Sequence, residues 1–321
     1  MSVRLAVLCL LANVASLAEE PGAYLFVTFR GEQSPRSEQI HFGHSEDGRS
    51  WTALNGGQPV LVSTLGEQGV RDPFIMRRPD NGRFILIATD LSIHLHPGWK
   101  RATEAGSRSI VIWESSDLID WSEPRLVPVA PEDAGCTWAP EAVYDDEAKD
   151  FMVFWASKTR RDQFARHRIW SARTRDFITF SPPCIFIEGP HDIIDTTIIH
   201  DGSGYVRFSK DERRKAVTME RSPHLEGTWT SEDRFNLAHL VGYEGPTCFQ
   251  RNSSSREWCL LLDHYAKGRG YQPFTTSALA SGIFTPGEGF HFPFTFRHGT
   301  VLPITPAESR RLLAAWGAPK P

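Results

Sequence analysis

The chain has 321 residues, 40% of them hydrophobic, and 35 Lys and Arg set against 39 Asp and Glu give a formal charge of −4. This length suits one large all-β domain or two ordinary ones, and mild acidity without a basic run gives nucleic acid no footing. No stretch after residue 18 is apolar enough to cross a membrane, and no Ser/Gly-rich or Pro-rich linker interrupts the middle, so residues 19–321 read as one domain.

Residues 1–18 read as a secretory signal peptide, which predicts an extracellular protein. Arg4 supplies the positive start, Leu5 to Leu11 the apolar run, and Ser16-Leu17-Ala18 the small-x-small cleavage site.

Strands come next. Ala23–Phe29 and Gln39–Gly43 are rich in aromatic and β-branched residues, and a polar turn, Ser45-Glu46-Asp47-Gly48-Arg49-Ser50-Trp51, closes the pair. Gly69-Val70-Arg71-Asp72-Pro73-Phe74-Ile75 then opens a pattern that returns four times. The later copies are Trp138-Ala139-Pro140-Glu141, Ile194-Asp195-Thr196-Thr197, Tyr243-Glu244-Gly245-Pro246 and Arg297-His298-Gly299-Thr300. Aligned on Asp72, Ala139, Asp195, Glu244 and His298, they stand 67, 56, 49 and 54 residues apart, which suits one four-stranded sheet per copy.

A second strand follows four of the copies, at 83–89, 150–157, 204–209 and 257–263, and third strands follow at 109–114, 168–172, 216–220 and 271–276. The fifth copy has nothing after it, so 23–44 must complete its sheet. The expected fold is therefore an all-β, five-bladed β-propeller whose ring closes by N-terminal strands pairing into the last blade. Helical periodicity appears only at 307–315.

Inner strands of such a ring gather their first residues around one funnel. Three of the five aligned residues, Asp72, Asp195 and Glu244, are carboxylates. Clustered carboxyls suit glycosidic hydrolysis, in which one donates a proton to the leaving oxygen and another, ionised, activates water or attacks carbon.

The motifs Arg71-Asp72-Pro73, Trp138-Ala139-Pro140-Glu141, Ile194-Asp195-Thr196, Tyr243-Glu244-Gly245-Pro246 and Arg297-His298-Gly299 resemble those of glycoside hydrolase family 43, in that family's order and over nearly the whole chain. The resemblance implies that Asp72 is the general base, Glu244 the general acid and Asp195 the group that orients the acid and tunes its pKa. It implies inversion at the anomeric carbon, with oligo- or polysaccharide substrates of plants or microbes. Arabinofuranosyl linkages come first, with β-xylosidase and β-galactofuranosidase as alternatives; a non-catalytic sugar-binding propeller is the alternative of another class. His298 matches the axial histidine that many members use to hold a water or a calcium ion; no cofactor is otherwise required, and a monomer is expected.

Trp138 and Tyr243 are candidates to stack on a sugar ring. Arg207 and Lys210 lie on the second strand of the third blade, and one of them can reach the carboxylates; Arg207 joins Trp138, Tyr243 and His298 as a substrate-binding candidate. Glu141 stands beyond its proline and reads as structural. The turn at 45–51 is close to the Asp-box of sialidases, whose chemistry needs a Tyr nucleophile and several arginines. Cys136, Cys184, Cys248 and Cys259 lack metal spacing; Cys248 and Cys259 flank one hairpin and are either partners or buried free thiols. Asn252-Ser253-Ser254 is a glycosylation sequon.

Overall fold

A computed structural model describes residues 21–251 and 257–317. The signal-peptide residues 1–18 and the Asn252 sequon lie outside them.

The second strand of each blade explains the architecture. Phe84–Asp90 (FILIATD), Asp150–Ser157 (DFMVFWAS) and Glu257–Asp263 (EWCLLLD) are apolar in nearly continuous runs rather than alternating. A strand apolar on both faces must be covered on both faces. Each is: Phe84 and Leu86 pack towards one neighbouring sheet, Ile85 and Ile87 towards the other. Five such interfaces between successive sheets make up the apolar interior.

The result is a five-bladed β-propeller of four-stranded antiparallel sheets. Blade I holds Val70–Arg77, Phe84–Asp90, Ser109–Ser115 and Arg125–Pro128. Blade II holds Trp138–Asp145, Asp150–Ser157, Arg168–Thr174 and Cys184–Ile187. Ile193–His200, Tyr205–Asp211, Ala216–Ser222 and Thr230–Ser231 form blade III. Blade IV comprises Glu244–Arg251, Glu257–Asp263, Tyr271–Thr276 and Thr285–Pro286. In blade V the inner strand is Gly299–Ile304, and Ala23–Thr28, His41–Ser45 and Thr52–Ala53 complete it. The closing pair runs antiparallel from Ala23 opposite Ile304 to Thr28 opposite Gly299, as the displaced fifth copy requires.

α-Helix is confined to two short pieces among the described residues. Pro306–Trp316 carries a capping box between Thr305 and Glu308, with Pro306 in its first turn. Trp99–Glu104 lies in the 91–107 connection of blade I, where no helical periodicity signals it.

Three turns between third and fourth strands share one local design. Asp47, Asp117 and Asp176 each accept two backbone N–H groups, and the residue after each (Gly48, Leu118, Phe177) has positive φ. The Asp-box likeness at 45–51 is thus a turn of the blade's outer half, repeated in blades I and II.

The four cysteines among the described residues are free. Cys248 sits opposite Leu260, and Cys259 opposite Phe249. A one-residue offset puts the two thiols on opposite faces of the sheet, which rules out a bridge.

Candidate functional site

The inner strands of blades I to IV share a kink that aims side chains at the axis. Register breaks between Arg71 and Phe74, Trp138 and Glu141, Ile194 and Thr197, and Glu244 and Thr247. At each bulge one residue takes a left-handed conformation: Asp72 (φ 49), Ala139 (φ 47), Asp195 (φ 49) and Gly245 (φ 53). Proline follows three of the four, because a bulge frees it from donating to the ladder.

The structure corrects the alignment in blade IV by one residue. The equivalent of Asp72 and Asp195 is Gly245, and Glu244 stands one position earlier, level with Arg71, Trp138 and Ile194. The cause is His298. A Cβ on residue 245 would lie 2.6 Å from the imidazole Cγ, so only glycine fits there, and the carboxylate comes from its neighbour.

His298 joins the carboxyls of two other blades. Its Nδ1 is 3.4 Å from Asp72 Oδ1 and 3.9 Å from Asp195 Oδ2. Thr89 donates to Asp72 Oδ2 at 3.0 Å and accepts the Ala139 N–H at 2.8 Å, which ties blade I to blade II. The Gly245 N–H donates to Asp195 Oδ2 at 3.1 Å, tying blade III to blade IV. The buried Tyr271 hydroxyl bridges Gly245 O and the Gly299 N–H, at 2.7 and 2.9 Å, and so joins blades IV and V. These bonds between blades hold Asp72 and Asp195 in place.

Glu244 lies between two cations. Lys210 Nζ donates to its Oε2 at 2.7 Å, and Arg297 approaches Oε1 at 3.4 Å while donating to the buried Asp263 at 2.6 Å. Lys210 also pairs with Glu212 at 2.5 Å. Burial would lower the Lys210 pKa, but Glu244, Asp195 and Glu212 together raise it. Burial raises Asp195 to about 7; His298 and Lys210 oppose this, and the Glu244 and Asp72 charges add to it. Asp263 is pushed up to about 6 by burial against the pull of Arg297.

Above these groups opens a cavity of about 880 Å³. Glu244, Lys210, Arg297 and Arg71 line it together, and Trp138, Trp99 and Tyr265 give it aromatic walls. Trp99, 51% exposed, meets Trp138 edge-on at 6.1 Å. Trp138 in turn lies 5.0 Å from His167, which is held by Asp192. Arg71 is anchored by Glu32 and Glu38 and covered by Phe29 and Trp99.

Of the sequence candidates, Asp72, Asp195, Glu244 and His298 come together, and Trp138 lines the cavity. Tyr243 does not line it; its ring stacks on His264 at 4.1 Å, and the tyrosine in the wall is Tyr265. Arg207 is likewise elsewhere. It pairs with Glu220 at 2.6 Å and covers Trp229 in the body of blade III. Strand alternation decides between the two basic residues of that strand: Lys210, three positions on, faces the axis. Glu141 is fully buried; burial, with a smaller push from Asp195, raises its carboxyl well above the usual range.

Sequence reasoning did not single out Arg297, Asp263 or Trp99. Arg297 immediately precedes His298 in a quoted motif, a usable signal. Asp263 and Trp99 carry none, because strand pairing and a loop helix place them. Calcium takes six to eight oxygens, whereas His298 faces one oxygen from each of two carboxyls already engaged by Thr89 and Gly245. No three His, Cys, Asp or Glu converge as a metal site among the described residues.

Comparison with known proteins fits this geometry. The glycosyl hydrolase family 43-related model, described as "Probable glycosyl hydrolase domain", matches residues 19–310. An α-L-arabinofuranosidase of Bifidobacterium longum subsp. longum is 26% identical over 376 aligned positions, 93% of this chain. The chain spans about a third (34%) of the length of that relative. Among solved structures, a family 43 β-1,3-galactosidase shares the fold with a TM-score of 0.58, at 13% identity over 83% of this chain and 56% of its own. A Bacteroides ovatus xyloglucan PUL family 43 protein gives 0.51, at 14% identity over 89% and 56%. The chain belongs to the glycoside hydrolase family 43-related family.

Proposed function

We propose that the protein is an inverting glycosidase that removes arabinofuranosyl residues from a polysaccharide. The observation that carries the reading is the convergence of Asp72 and Asp195 on His298, with Glu244 beside them.

Asp72 accepts the proton of the attacking water. Thr89 holds one of its oxygens and His298 faces the other, so the carboxylate is oriented without being buried in an ion pair. Glu244 faces the cavity and donates to the leaving oxygen. To do so it must hold a proton while Lys210 and Arg297 stand beside it. Asp195 supplies the opposing influence: burial, with the Glu244 and Asp72 charges adding to it, pushes its carboxyl up to about 7, so it carries a proton into the site near neutral pH. A sugar entering against Lys210 competes for that ammonium and frees the acid to donate. Inversion further requires room for a water between Asp72 and the anomeric carbon.

The arabinofuranosyl assignment is supported by the name of the B. longum relative. β-Xylosyl and β-galactofuranosyl linkages are the competing substrates. The test is turnover of a panel of nitrophenyl glycosides that includes the furanosides, with the anomer of the released sugar followed by NMR. Release from the α-L-arabinofuranoside with inverted configuration is expected. Retention would overturn the mechanism, turnover of another glycoside alone would overturn the sugar, and sugar binding without turnover would favour a non-catalytic propeller.

A further inference from the structure

The cavity carries more positive charge than its chemistry uses. Seven Lys or Arg and four Asp or Glu line it, in a chain whose formal charge is −4. Near the acid the cations are matched: Arg71 by Glu32 and Glu38, Arg297 by Asp263 and Glu244, Lys210 by Glu244 and Glu212. Farther out, on the wall built by the 189–192 loop and the 212–215 turn, one cation is left without a carboxylate among the described residues. Arg213 is exposed, and its guanidinium Nη1 donates to His191 Nε2 at 2.8 Å. Among the described residues no carboxylate pairs with it, whereas Lys215 beside it shares Glu212 with Lys210. Arg166, across the same wall, spends Nη1 on the Gly189 carbonyl and meets Glu188 at 3.3 Å, a carboxylate it shares with Arg168.

We propose that the sugar next to the one cleaved bears an anionic group, a uronic acid carboxylate or a sulfate ester, and that Arg213, flanked by Lys215 and Arg166, receives it. This rests on the glycosidase reading for its register. Glu244, Lys210, Glu212 and Lys215 form a continuous file from the acid to this wall. A neutral glycan would leave the guanidinium fork of Arg213 facing only water and one imidazole. A carboxylate, or two oxygens of a sulfate ester, offers it paired acceptors. An acidic protein otherwise repels a polyanion, so a positive wall confined to one cavity selects where such a substrate approaches.

The test is calorimetric binding of three probes to the full chain at low and high salt: a glucuronic acid-bearing arabinoxylan oligosaccharide, its carboxyl-reduced form, and a sulfated version of the reduced form. The acidic probe should bind roughly tenfold or more tightly than the reduced one, as a charge-assisted contact implies. The gap should shrink in high salt and vanish in Arg213→Met. Arg214→Met, next in sequence but directed at the Ala238 carbonyl, should keep it. Preference for the glucuronic acid or the sulfated probe identifies the source of the anion. Equal binding of charged and reduced probes, or no binding of any, overturns the proposal. The glycosidase reading is judged separately, by turnover of nitrophenyl glycosides that carry no anion.

Discussion

Lys210 Nζ lies 2.7 Å from Glu244 Oε2, and the ammonium itself is almost wholly buried. A buried cation beside a carboxyl favours its ionised form, so in the proposed mechanism Lys210 opposes proton donation by Glu244. Lys210→Met should move the alkaline limb of the kcat/KM profile to higher pH, because Lys210 is one of the charges that lower Asp195. It should also destabilise the fold by on the order of 3 kcal/mol, the usual cost of removing one partner from a buried pair. An unmoved alkaline limb would detach Lys210 from the proton balance.

Asp195→Asn should move that limb the other way, because the carboxyl with the raised pKa is removed from the proposed proton balance. Stability gives an independent reading. Burial raises the folded-state pKa from 3.8 to about 7, so between those values the folded chain binds more protons than the unfolded one. The Asp195 contribution is then fully present below about pH 4 and is lost as pH rises to about 7. Melting of wild type and Asp195→Asn across pH 4 to 8 should show the variant gaining on wild type through that window. A constant difference would contradict the raised pKa.

Gly245→Ala should cost about 1–3 kcal/mol and most of the activity, since φ of 53° is joined to a Cβ 2.6 Å from His298 Cγ. Ala139 holds almost the same φ without that neighbour. Denaturation of the variant, with Ala139→Gly as the reference, separates the backbone term from the clash.

Trp99→Ala should raise KM by about tenfold with little change in kcat or melting temperature. The ring is half exposed and offers a stacking face at the cavity wall. A fall in kcat at constant KM would mean that the 91–107 segment shapes the reacting centre instead.

The five-fold repeat is legible in the sequence because each blade must bury both faces of its second strand, which writes runs such as FILIAT and FMVFWAS into the chain. Closure is legible too: His298 has no second strand after it, while Ala23–Phe29 has no inner strand before it. The carboxylates follow from the motifs, since Asp-Pro and Glu-Gly-Pro mark bulges. What sequence alone does not give is side-chain direction across blades. Arg207 and Lys210 differ by strand parity, and only the registered pairing with the inner strand assigns Lys210 to the axis. The one-residue shift at Glu244 is of the same kind, because it depends on the volume of an imidazole from another blade. Tyr243 and Tyr265 exchange places for a related reason: a short turn after Asp263 brings Tyr265 into the wall and leaves Tyr243 on His264.

Substrates of different leaving-group acidity separate the proposed roles of Glu244 as acid and Asp72 as base. The measurement is kcat/KM of wild type, Glu244→Ala and Asp72→Ala on an activated aryl glycoside and on a natural linkage of the same sugar. Glu244→Ala should keep much of its rate on the activated substrate, whose leaving group needs no proton, and lose at least about 10²-fold on the natural one. Asp72→Ala should lose at least about 10²-fold on both, since no positioned base remains. Equal losses for Glu244→Ala on the two substrates, with Asp72→Ala spared on either, would contradict the assignment.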